Sequence, residues 1–136
     1  MIRRRRSREQ ALQILYFMDY ADVEAHEARN LFQGHFEVKN ADASYMQTLI
    51  FGVEDHQVAI DEILEKALEH WKLYRLGKID KSILRIGVYE MVFAVEKIAS
   101  PVAINEAVEL GKKYGDEKTS SFVNGVLDRV AKEYQR

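Results

Sequence analysis

The chain has 136 residues, no cysteine, one proline, seven glycines and a formal net charge of −2. That length suits one domain, the missing thiols exclude disulfides and thiolate metal sites and fit a reducing cytoplasm, and the scarcity of breakers argues against a sandwich of many short strands. No apolar run approaches the roughly 20 residues that a membrane-spanning helix needs.

The opening stretch, MIRRRRSREQALQILYFMDY, sets Arg3, Arg4, Arg5, Arg6 and Arg8 ahead of an apolar segment. Gln13 interrupts that segment, Asp19 closes it and no A-x-A site follows, so it does not read as a secretory signal. Ser7 is placed to cap a helix, with Gln10 as the reciprocal member of a capping box. Ala11, Leu12, Leu15 and Met18 then recur at helical spacing to about Tyr20. A second, short helix is predicted to reach Leu31 and Phe32, with Gly34 as its C-terminal cap. Asp42 is placed to cap a long third helix whose apolar stripe runs from Tyr45 through Leu49, Val53, Ile60 and Leu64 to Trp71. The stripe skips His56 and Gln57, where a kink is expected. The connector that follows, residues 70–79, is the one plausible seam, dividing the chain into an N-terminal and a C-terminal half of three helices each.

Asp80 looks like the N-cap of a fourth helix, with Ile79 and Leu84 as its hydrophobic staple. This helix is apolar on most of its circumference, interrupted by Arg85 and Glu90, and so belongs at the centre. Ser100 and Pro101 read as N-cap and first residue of a fifth helix that ends near Tyr114 and Gly115. Thr119 caps a sixth, with Val123, Val126, Leu127, Val130, Ala131 and Tyr134 on one face. Within it, FVNGVL presents Asn-Gly, the strongest short hairpin signal. The helical spacing beyond it outweighs that signal, so Asn124 and Gly125 are assigned to helix. Gly125 then costs about 1 kcal/mol relative to alanine. It either admits a close helix backbone, while Asn124 bonds a neighbour or a ligand, or both face solvent on an open turn.

Enzyme signatures are missing. The histidines have no metal-ligand spacing, the acids Asp61, Glu62, Glu65 and Glu69 read as one solvated helix face, and no glycine-rich phosphate loop occurs. The charge is, however, strongly segregated. Residues 1–8 carry five arginines and no acid, while residues 19–69 carry twelve acids against three bases. Arginine's planar fork suits phosphate oxygens and stacks on bases. The arm therefore points to nucleic acid over a merely solubilising terminus or one neutralising the protein's own acids. A second basic cluster, Lys112, Lys113 and Lys118, adjoins Phe122. That ring is placed either to stack on an unpaired base or to pack in the core.

The segments ILRIGVYE (83–90), VAINEAVELGKKYG (102–115) and FVNGVLDRV (122–130), with the arginine-rich opening, resemble the signature segments of the NusB family of bacterial transcription antitermination factors. The likeness extends over nearly the whole chain. It implies an all-α fold of two three-helix subdomains in one compact domain. It implies binding of single-stranded boxA RNA from ribosomal RNA leader transcripts, together with NusE, a small-subunit ribosomal protein, within an RNA polymerase antitermination complex. On this resemblance Arg3, Arg4, Arg5, Arg6 and Arg8 meet RNA, joined by Phe122, while Tyr16 and Asp80 face the protein partner. Exposed aromatics such as Tyr16 and Tyr74 suit a partner or a homodimer. Two departures stand out: Pro101 directly precedes Val102, where the family's proline lies some three residues upstream, and Gly111 replaces a common alanine. Two other readings are an RNA-recruiting module of an rRNA methyltransferase, against which no cofactor loop occurs, and a purely protein-binding helical module.

Overall fold

Helical periodicity carries through: residues 2–32 and 43–134, which the computed structural model describes, form seven α-helices, and no strand occurs among them. In chain order they are α1 (Ile2–Ala21), α2 (Ala25–Phe32), α3 (Ala43–Asp55), α4 (Gln57–Ala67), α5 (Lys78–Val88), α6 (Ser100–Tyr114) and α7 (Thr119–Tyr134). A 3-10 turn (Leu73–Arg75) precedes α5, and a π-helical turn (Tyr89–Phe93) continues it.

Helix α1 begins five residues before the expected cap. Ser7 is not a cap: its hydroxyl donates to the Arg3 carbonyl at 2.9 Å, one turn back inside the helix. The arginine arm is thus helical, not an extended lead-in. Gly34 and Asp42, the caps expected for the second and third helices, lie outside the described residues. Helix α2 is held at its start from elsewhere, since the Ala25 N–H donates to the Glu54 carboxylate of α3.

The expected kink is a full break. His56 separates α3 from α4 at φ −110°, ψ 13°, and its ring stacks on Phe93 with centroids 4.8 Å apart. The predicted stripe overshoots. Helix α4 ends at Ala67, whose carbonyl accepts from Arg129 Nε at 2.8 Å, and Trp71 is 56% exposed. Of the acids of this segment Glu62, Glu65 and Glu69 are exposed, as a solvated face requires, while Asp61 is partly buried. Asp61 takes both prongs of Arg85 at 2.9 Å, Glu65 accepts the Leu73 N–H at 3.3 Å, and Glu69 lies 3.8 Å from Arg129.

Helix α5 starts two residues before Asp80, which sits in its first turn rather than at the cap. There a carboxylate complements the macrodipole. Residues 82–88 are all buried, and α1, α4, α6 and α7 pack around them. Ser100 and Pro101 both fall inside the first turn of α6, after Ala99. At α7 the cap is shared. The Asp116 carboxylate accepts the N–H groups of Lys118 and Thr119, and Thr119 Oγ1 accepts from the Asp116 N–H at 3.0 Å.

Asn124 and Gly125 are helical, and neither serves packing within the chain. Asn124 is exposed, and a methyl group at 125 would meet nothing nearer than Arg129 Nη1 at 3.8 Å. Gly111 is instead a glycine of close approach, since a methyl there would stand 3.1 Å from Ser120 Oγ and 3.3 Å from Ser120 Cα, between α6 and α7.

Candidate nucleic-acid interface

The first two turns of α1 carry the arginines, and the fold sorts them. Arg3, Arg4, Arg5 and Arg6 are exposed, whereas Arg8 is 3% exposed. Residues three and four apart share a helix face, so Arg5 and Arg8 point together toward the C-terminal half. Arg8 Nε donates to both Glu90 oxygens, at 3.1 and 2.9 Å, and its Nη1 donates to Glu106 at 3.3 Å. Arg5 makes a two-pronged bond to Glu106, at 3.1 and 2.7 Å. The Tyr45 hydroxyl of α3 donates to Glu90, and the Arg4 guanidinium lies over the Tyr45 ring, 4.4 Å from its centroid. Two arginines thus anchor α1 and a third rests on the anchor's tyrosine. Arg6 meets Glu9 at 3.6 Å on the surface.

Charges this deep persist only when paired. Burial pushes the Glu90 carboxyl above its ordinary range, against the pull of Arg8 and the Tyr45 hydroxyl. The hydrogen bonds from Arg5 hold Glu106 below its ordinary range, with Arg8 adding to the effect. Burial, reinforced by the neighbouring Glu90, raises Tyr45 so far that it stays a neutral donor at working pH. Arg8 therefore spends its donors inside the protein. Arg3, Arg4 and Arg6 present theirs outward, and Arg5 is half-exposed at the boundary.

The second basic cluster divides. Lys112 and Lys113 lie with Arg5 and Glu9 around a surface cavity of about 270 Å³, so the fold joins two clusters a hundred residues apart in sequence. Lys113 reaches Glu9 at 3.1 Å, and Lys112 meets Glu109 at 3.6 Å. Lys118 and Phe122 do not line that cavity. Lys118 is exposed in the turn before α7, and the Phe122 ring is partly buried against the hydrophobic core.

Of the residues expected at a protein partner, Tyr16 is 38% exposed and stacks parallel to Tyr20 at 6.4 Å, and Tyr74 is 74% exposed in the 3-10 turn. Asp80 is half-buried and accepts a hydrogen bond from Thr119 Oγ1 at 3.1 Å. Burial raises its carboxyl, partly countered by that bond.

Sequence reasoning did not assign Glu90, Glu106 and Tyr45 to this site. Glu90 did carry a signal: a carboxylate within an almost wholly apolar helix demands a partner. Glu90 lies within the π-helical turn, a feature common at functional positions. Glu106 and Tyr45 carried none, because nothing local links them to α1. Among the described residues no group of three or more His, Asp or Glu side chains could hold a metal ion.

Residues 5–132 match the NusB family. The chain is 41% identical over 129 residues to the transcription antitermination protein NusB of Bacillus velezensis, covering 95% of each. It is 42% identical over 132 residues to that of Clostridium perfringens, covering 96% of this chain and 97% of the relative. Among solved structures it superposes with a TM-score of 0.86 and 34% identity on a chain from the antitermination factors NusB and NusE in complex with dsRNA, covering 98% of this chain and 99% of that one.

Proposed function

The chain belongs to the NusB family, and on that premise we propose that it is an RNA-binding transcription antitermination factor. It works beside a NusE-type ribosomal protein and performs no catalysis of its own. The observation that carries this is the outward set Arg3, Arg4 and Arg6, held on a helix whose inner arginines, Arg5 and Arg8, are fastened to Glu106 and Glu90. Anchoring the helix fixes the spacing of the outer guanidinium groups before RNA arrives, so less ordering is lost on binding. Arg5 at the rim, with Lys112 and Lys113, extends the positive surface.

The RNA is the boxA element of ribosomal leader transcripts, taken as a single strand whose bases are open to stacking. The related NusB–NusE pair is in complex with dsRNA, and a phosphate-directed face accepts either form, so base contacts must supply the discrimination. Tyr16, Tyr74 and Asp80 are proposed for the protein partner. Tyr16 and Tyr20 offer a flat apolar ledge, while Asp80 offers whatever acceptor capacity Thr119 leaves. The setting is the cytoplasm, where transcripts are made. Lys118 and Phe122 take a peripheral part, with Phe122 chiefly a packing residue.

The test is a titration of labelled boxA RNA, single-stranded and duplexed, with and without NusE, at two salt concentrations. The expected result is salt-sensitive binding of the single strand that NusE strengthens. Equal affinity for unrelated RNA under every condition, or no gain from the partner, would overturn the reading.

A further inference from the structure

Apart from the Arg5–Lys113 cavity lies another cleft, of about 240 Å³, walled by Arg4, Tyr45, Tyr89 and the segment after the π-helical turn, which brings Val95 and Glu96 to its rim. It is smaller than the roughly 300–1,000 Å³ of sites for drug-sized ligands and suits one planar ring system. We propose that this cleft receives a single unpaired base of the bound RNA, stacked on the Arg4 guanidinium, with Glu96 selecting a base that bears an exocyclic amino group.

Four observations converge on it. The Arg4 guanidinium already lies over the Tyr45 ring, 4.4 Å from its centroid, while the residue as a whole stays exposed. A guanidinium plane so fixed is a stacking surface for a base. Tyr45 in turn is pinned by its hydrogen bond to buried Glu90, so the platform is rigid. Val95 is fully exposed at the rim, an apolar contact that the fold itself leaves unused, beside the Tyr45 and Tyr89 side chains that also line the cleft. Finally, Arg4 belongs to the same helical turn as Arg3 and Arg6, so a strand whose phosphates rest on the arm has its bases within reach of the cleft. A carboxylate is a poor neighbour for phosphate but accepts from the amino group of cytosine, adenine or guanine. Uracil offers no such donor. The sign of Glu96's effect is therefore specific: it costs affinity in general and returns it for amino-bearing bases.

This inference rests on the RNA-binding reading, and the experiment separates the two. Single-stranded boxA RNAs, each abasic at one position, and at the sensitive position also carrying cytosine or uracil, are titrated against the NusE complex of wild type, Arg4→Lys and Glu96→Gln. In wild type one abasic position is expected to cost about tenfold in affinity, in line with base-stacking losses. Arg4→Lys keeps the charge but loses the plane, so the salt slope should hold while that penalty vanishes. Glu96→Gln should bind RNAs with uracil or no base at that position slightly tighter, gain nothing for cytosine there, and so erase the preference against uracil. If wild type binds every abasic RNA alike, or if the sensitive position is equally sensitive in both variants, the base site is refuted while RNA binding stands. If wild type binds no RNA even at low salt, the functional reading itself fails and takes this one with it.

Discussion

Arg8 of α1 and Glu90 of the π-helical turn meet at 2.9 Å, eighty-two residues apart, with side chains only 4% and 1% exposed. The pair bolts the N-terminal helix to the C-terminal half. Its role is placement of the arm more than net stability, because the desolvation of two such charges offsets most of their attraction.

Truncating one member strands the other. Arg8→Ala or Glu90→Ala should each lose about 3–5 kcal/mol in urea unfolding, the usual result of leaving a buried charge unpaired. The double variant should lose clearly less than the sum, since neither charge is then stranded. Additive losses would show that the pair does not act as a unit.

The anchor also sets a pH dependence, and its two carboxylates act with opposite sign. Glu106 is held below the ordinary value by Arg5, so its contribution is complete above about pH 4.3 and is lost as pH falls through the lowered value. Glu90 is raised by burial, so its own contribution declines as pH climbs from about 4.3 through its raised value. Glu106→Gln should therefore be less stable than wild type near neutrality, with the gap narrowing below about pH 4. A gap that widens on acidification would contradict the assignment.

Two glycines should respond oppositely to the same change. A methyl at Gly52 would stand 2.3 Å from the Tyr89 ring, and Gly52→Ala should cost about 1–3 kcal/mol through overpacking. Gly125 has open space, and Gly125→Ala should stabilise by about 0.5–1 kcal/mol. Thermal unfolding of both variants checks the pair. Destabilisation by Gly125→Ala would mean that α7 needs that glycine within the chain.

On the RNA side, Arg3, Arg4 and Arg6 should differ from Arg8 in kind. Replacing the three outer arginines by alanine should flatten the salt dependence of single-strand binding by about 0.7 per phosphate contact removed, with stability nearly unchanged. Arg8→Ala should unfold more easily, and its RNA affinity should fall only through the loosened helix. Filter-binding slopes and urea midpoints, measured on the same preparations, distinguish the two patterns.

Helical class, the order of the elements, the central place of α5 and the helical state of Asn124-Gly125 were all legible in the residues, because apolar spacing is local information. So was the positive opening of the chain. Helix limits were less legible. Ser7 has the right identity for a cap but bonds backward into its own helix, and the long stripe from Tyr45, expected to kink at His56 and run on to Trp71, breaks fully at His56 and ends at Ala67.

What the sequence alone determined, then, is that this chain folds as helices and carries a cationic end. What only tertiary structure decided is which cations remain available. Arg8 and Arg3 are the same residue type on the same helix, yet one is closed within carboxylates from α6 and the π-helical turn and the other faces water. Charge and propensity are properties of a residue and its neighbours in sequence. Availability depends on what packing brings within about 3 Å of the charged group, and here those partners come from the other end of the chain.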